Sequence, residues 1–154
     1  MQNKTIYLAS PYGFAKQWRL RLLPEFISKL EYMGARVLEP FNRNSTVDFS
    51  MSGWANKVAS ANIRDLRNSD AIFAIVNGCP PDEGVMVELG VAIALGKPTF
   101  LFRDDFRKCT DSDEYPLNLM IFMGIPYESW NDYYYRSLDE IQSDSKALYR
   151  WLRN

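Results

Sequence analysis

Asp70-Ala71-Ile72-Phe73-Ala74-Ile75-Val76 is the stretch that most constrains the fold, because after its first residue it is an unbroken apolar run of strand length with no polar alternation. A strand with one wet face alternates; one without alternation is covered on both faces, as in the interior of a parallel sheet. Asn77-Gly78-Cys79-Pro80-Pro81 then breaks the chain, and Asp82 is placed to cap a helix that runs to about Leu95, where Gly96-Lys97-Pro98 stops it. Strand, short loop and helix form the unit from which parallel sheets are built.

The remaining chain repeats that grammar. Residues 4–9 predict a first strand, and Ser10-Pro11-Tyr12-Gly13-Phe14 the loop leaving its C-terminal end. Between 15 and 33, Trp18, Leu22, Phe26, Ile27 and Leu30 recur at helical spacing, with a kink or restart expected at Pro24 and an end at Gly34. Residues 35–39 predict a second strand, followed by a polar connection through Asn42, Asn44, Ser45 and Asp48 that suits a lid or substrate wall. A helix over 52–67 precedes the apolar run, and Thr99-Phe100-Leu101-Phe102 is a fourth strand.

Residues 103–114 are expected to form a charged, mobile loop, and 127–130 an edge strand. The aromatic run 133–135 is expected to pack on the sheet or on a partner. Leu138, Ile141, Ala147, Leu148, Trp151 and Leu152 predict a last amphipathic helix. The run from Tyr115 to Gly124 is too apolar to lie bare on a monomer. The whole predicts an α/β, three-layer Rossmann-like (flavodoxin-like) domain with a mainly parallel sheet, a single domain spanning 1–154.

A net charge of −1 on 154 residues points to neither a nucleic-acid polymer nor an anionic membrane as partner. Without a signal peptide or a membrane-length apolar run, the expected location is cytoplasmic. The chain contains no histidine, which excludes Ser-His and Cys-His hydrolases and histidine metal sites; Cys79 and Cys109 lack metal-ligand spacing, so no metal is expected. Neither GxGxxG nor a Walker loop is present, and no cofactor is implied. Acid-base chemistry falls to Asp, Glu, Tyr, Cys or Lys.

Glu88 is the carboxylate that the pattern singles out. It falls in the second turn of the helix begun at Asp82, with Gly84, Val85, Val91 and Ala92 as its neighbours at three and four residues' spacing and no Lys or Arg in that helix. A glutamate on a helix is ordinarily solvated. This one shares its face with little else that is polar, near the C-terminal end of a parallel strand, where open α/β sheets bind ligands. Asn62 and Asp65, three apart, share a face of the preceding helix, and Asp65 has Arg64 and Arg67 as solvated partners in its ordinary reading.

Four segments in order resemble the nucleoside 2-deoxyribosyltransferase family: Thr5-Ile6-Tyr7-Leu8-Ala9-Ser10-Pro11; Ile63-Arg64-Asp65-Leu66 with Ser69-Asp70-Ala71; Asp82-x-Gly84-x-x-x-Glu88-Leu89-Gly90-x-Ala92-x-Ala94-x-Gly96-Lys97-Pro98; and Pro116-Leu117-Asn118-Leu119-Met120. The resemblance implies 2′-deoxynucleosides and free purine or pyrimidine bases as substrates, exchanged by retaining double displacement. Glu88 would attack C1′ and hold a deoxyribosyl intermediate, Tyr7 would orient it, and the helix N-terminus would keep it ionised.

Asp65 would protonate the leaving base and Asp82 hold a sugar hydroxyl, two roles that the sequence leaves exchangeable. Asn118 would come from a neighbouring protomer, making a homo-oligomer with a shared active site; the competing role for it is to cap a turn after Pro116. Tyr12 and Phe14 would enclose the base or lid the core, Asn62 would influence tolerance of a 2′-hydroxyl or of a particular base, and Ser10 and the amides near Gly84 are candidate phosphate contacts. Those contacts belong to the rival reading, a deoxynucleoside 5′-monophosphate N-glycosidase. The same residues also allow a non-catalytic nucleotide-sensing domain, and the apolar run from Tyr115 a structural oligomerisation domain.

Overall fold

The computed structural model describes residues 3–154. Its sheet has five strands in the order β2-β1-β3-β4-β5, all parallel: β1 is Thr5–Ala9, β2 Arg36–Leu38, β3 Ala71–Ile75, β4 Thr99–Phe102 and β5 Tyr134–Tyr135. This is the flavodoxin-like order, with its topological switch between β1 and β3. Every residue of β3 is buried, as a continuous apolar run in a central strand requires.

Alternate side chains of the central strands enter two cores. Ile6, Leu8, Phe73, Phe100 and Phe102 pack beneath α1 (Leu23–Tyr32). Tyr7, Ala9, Ile72, Ala74 and Leu101 pack on the other face with Leu66 and with Val85, Leu89 and Ala92. That face is covered by α3 (Trp54–Asn68) and α4 (Glu83–Ala94), the short α2 (Pro40–Arg43) having come before them. The last helix, α5 (Ala147–Arg153), adds Ala147 and Leu148 to the α1 side.

The expected helix over 15–33 is a π-helical stretch, Trp18–Leu22, leading into α1, whose first turn holds Pro24. There the missing amide hydrogen costs little, so of the two expected outcomes the proline restarts the helix. Gly34 follows with φ of +95°, a conformation glycine adopts without a Cβ penalty.

Two expectations need correction. The edge strand is Tyr134–Tyr135, whereas 127–130 lie in a 3-10 helix following Pro126. Two successive tyrosines send their side chains to opposite faces, and each is buried in a different core. The last helix is two pieces, a 3-10 turn over Asp139–Gln142 and then α5.

Residues 103–114 form a charged loop, anchored at its first residue. Arg103 is buried and donates through Nη1 to the Val76 and Gly78 carbonyls (2.6 and 2.8 Å) and through Nη2 to that of Arg107 (2.7 Å). These charge-assisted bonds tie the segment to the end of β3.

Candidate active site

The C-terminal ends of β1 and β3 open toward the start of α4, and there Tyr7 meets Glu88. Tyr7, mid-strand in β1, pairs with Leu38 on one side and Ile72 on the other, which fixes its backbone; its ring is buried in the α4-side core. Its hydroxyl donates to Glu88 Oε1 at 2.6 Å, the short distance of a charge-assisted bond. Asp82 caps α4 as the sequence requires, Oδ1 accepting from the Val85 amide at 3.0 Å. Gly84 leaves room for that cap, since a Cβ there would lie 3.1 Å from Asp82 Oδ1.

Burial sets the protonation of Glu88. Desolvation pushes its carboxyl up to about 7, with further upward pressure from the negative charges of Asp82 and Glu39, against the lowering effect of the Tyr7 hydrogen bond. The helix N-terminus, expected to help keep Glu88 ionised, lies one turn before it. A helix dipole acts within the first turn, and Glu88 lies in the second. Burial, followed by the Glu88 charge, pushes the Tyr7 phenol far above its ordinary value, so it stays a neutral donor.

Asp65 is placed differently. Near the end of α3 and almost buried, it accepts two bonds from Arg43 of α2, from Nε at 2.9 Å and Nη2 at 3.2 Å. One turn earlier, Asn62 Oδ1 accepts from Asn44 Nδ2 at 2.9 Å. The polar connection after β2 is therefore the wall facing α3, and its partners were invisible because they lie 22 and 18 residues away.

Glu39 was also missed. It is buried at the end of β2 and caps α2 by accepting from the Phe41 and Asn42 amides (2.9 and 2.8 Å); burial raises its carboxyl above the usual range. Glutamate is not a favoured cap residue. The available signal was a Glu-Pro pair at the same end of the sheet as Glu88.

The other expected residues divide. Ser10 is buried and accepts from the Tyr12 amide at 3.0 Å, shaping the loop after β1. Tyr12 belongs to the α1-side core, its ring against Trp18 and Phe26 and its hydroxyl accepting from Asn77 Nδ2 at 2.7 Å. Phe14 is exposed and meets Phe41 edge-on at 5.0 Å. Gly13 permits that approach, since a Cβ there would overlap the Phe41 ring at 1.9 Å.

Asn118 stands exposed and far along the chain from the Glu88 helix. It caps the turn Leu119–Phe122, accepting from the Met120 amide at 3.0 Å while donating to Asp111 Oδ2 at 2.9 Å. The structure thus brings Tyr7, Glu88 and Asp82 together, with Asp65 and Glu39 near enough for their charges to act on Tyr7, and commits Tyr12 to the core.

Comparison with known proteins identifies the family. The sequence pattern of the family described as nucleoside 2-deoxyribosyltransferase matches residues 6–120. A nucleoside deoxyribosyltransferase of Limosilactobacillus fermentum is 30% identical over 135 residues, covering 80% of this chain and 77% of that protein. Among solved structures, a 2-deoxyribosyltransferase from Bacillus psychrosaccharolyticus superposes with a TM-score of 0.66 at 29% identity, over 83% of this chain and 88% of that one. One from Leishmania mexicana gives 0.66 at 26% identity, over 88% and 92%. With the matched region running from β1 through the Glu88 helix to Met120, the chain belongs to the enzyme family of nucleoside 2-deoxyribosyltransferases.

Proposed function

We propose that this protein transfers 2-deoxyribose between nucleobases by double displacement, with Glu88 as the nucleophile. The observation that carries the reading is the 2.6 Å bond from the Tyr7 hydroxyl to Glu88 Oε1 in a setting with no cation on the Glu88 helix. A carboxylate held by a neutral donor keeps its other oxygen and its charge for an electrophile. Glu88 attacks C1′, the bond from C1′ to the base nitrogen breaks, and its electrons leave with the base, which gains a proton. A second base then attacks C1′ and releases Glu88, so configuration is retained. Negative charge beneath C1′ also stabilises the oxocarbenium character of both transition states.

Asp82 and Asp65 are the acids in reach of this chemistry. Asp82 commits one oxygen to its cap and keeps the other, which favours it for direct contact with substrate. Asp65 has both oxygens on Arg43, so its delivery of a proton requires Arg43, about half exposed, to turn outward. Asn62, joined to Asn44, lies on the same wall and is assigned an influence on the sugar or base accepted.

Asn118 serves a neighbouring protomer's pocket in this reading, and the protein is a homo-oligomer. The exposed Leu119, Met120 and Met123 beside it supply apolar contact area. Sedimentation of the active enzyme checks this, and a fully active monomer would contradict it.

Incubating thymidine with adenine tests the activity itself. Formation of deoxyadenosine supports transfer; release of free deoxyribose without exchange, or turnover of deoxynucleoside monophosphates only, would favour the N-glycosidase reading.

A further inference from the structure

Two cysteines that the proposed chemistry does not use lie on two loops that are hydrogen-bonded to each other. Cys79 is exposed in the β3 to α4 loop, and its Sγ lies 3.6 Å from the carbonyl oxygen of Lys108, the residue that precedes Cys109. Cys109 is half-buried, and the nearby Cys79 thiol together with burial pushes it up. The backbone brackets each one: Gly78 bridges Pro81 around Cys79, and Cys109 bridges Leu117.

The two loops already form one hydrogen-bonded unit. Asn77 Oδ1 accepts from the amides of Asp104 and Asp105 (3.1 and 3.3 Å), the Gly78 amide donates to Asp105 Oδ2 (3.2 Å), and buried Arg103 holds the Val76 and Gly78 carbonyls. A bond between the sulfurs would close across two loops that are already held together beside Cys79 and Lys108. It joins the segment that leads to Asp82 and Glu88 with the segment that leads to Asn118.

We propose that Cys79 and Cys109 are a reversible disulfide pair, oxidised by small-molecule disulfides and reduced by small thiols. The exposed Cys79 thiolate attacks one sulfur of an external disulfide, forming a mixed disulfide and releasing one thiolate. Cys109, as its thiolate, then attacks the Cys79 sulfur and releases the second. Two protein thiols and one external disulfide become one protein disulfide and two external thiols. The closed loop spans residues 79–109, long enough for the cross-link to restrict the unfolded chain substantially.

The full chain is incubated with oxidised glutathione, and intact mass, Ellman titration and Tm are read before and after dithiothreitol. The expected result is loss of both titratable thiols, a mass lower by two hydrogens with no glutathione retained, and a Tm higher by about 5 °C or more that dithiothreitol reverses. Cys109→Ser should instead stop at a glutathione adduct on Cys79, with no rise in Tm. Two thiols still titrating in the wild type, a glutathione adduct that persists, or disulfide-linked dimers would each overturn the proposal. None of these readings depends on the nucleophile assigned to Glu88.

Discussion

Glu88 and Asp65 are carboxyl groups at the same end of one sheet, both close enough to Tyr7 to act on it, and their surroundings are opposite. Glu88 is held by one neutral phenol among apolar neighbours, and burial pushes it up to about 7. Asp65 is gripped by both arms of the Arg43 guanidinium, which that pairing holds more firmly charged. The difference separates two uses of a carboxylate. One anion is left without a cation to satisfy it, which costs stability and preserves reactivity; the other is neutralised in place and organises the wall beside it.

Replacing Glu88 should have the largest effect. Glu88→Gln closes the covalent route and is expected to lower transfer by about 10³-fold or more. The same change should stabilise the fold at pH 8. Because the folded carboxyl is raised to about 7, its neutral form is the one the fold prefers: that contribution is complete below the unfolded value and lost as pH rises through about 7. Denaturant unfolding at pH 8 should show the variant ahead by the order of 1–3 kcal/mol, with the gap closing toward pH 4. Equal stability at both pH values would mean that Glu88 is solvated.

Tyr7→Phe comes next. A hydrogen bond to a charged group is worth about 1.5–3 kcal/mol, so kcat should fall about 10–100-fold with little change in KM. Transfer in the wild type should rise with pH through about 7 as Glu88 ionises, and the variant's profile should lie higher, since the Tyr7 bond lowers Glu88. A Tyr7→Phe profile that stays in place would remove Tyr7 from the control of Glu88.

Arg43→Met probes the other carboxylate. It strands Asp65 in an almost buried position while Arg43 itself is half in solvent, so the expected loss is about 1 kcal/mol by chemical denaturation. No loss would make the fork a surface contact. The smallest effect is expected at Asn62: Asn62→Ala and Asn62→Asp should alter the ratio of deoxynucleoside to ribonucleoside turnover, and unchanged selectivity in both would exclude it from recognition.

The sequence was most legible where causes are local. The unalternating run 71–76, the Asp82 cap and the Gly96 stop required only neighbouring residues, and β3 and α4 lie where they indicate. Glu88 was legible because the amphipathic pattern around it has no place for a charge. The partners of Asp65 and Asn62 were not, since Arg43 and Asn44 reach them from another element. Arg103 read as a loop charge because nothing local shows that three carbonyls converge on it. Tyr134–Tyr135 lacks the length that marks a strand, and its pairing with β4 comes from the sheet already built.

The covalent intermediate is the most direct test of the comparison between the two carboxylates. Enzyme quenched during turnover of a deoxynucleoside without an acceptor base, then digested and mapped by mass spectrometry, should carry one deoxyribosyl group on Glu88 and none on Asp65 or Asp82. An adduct on either aspartate, or turnover that leaves no adduct on the protein, would contradict the assignment of Glu88 as nucleophile.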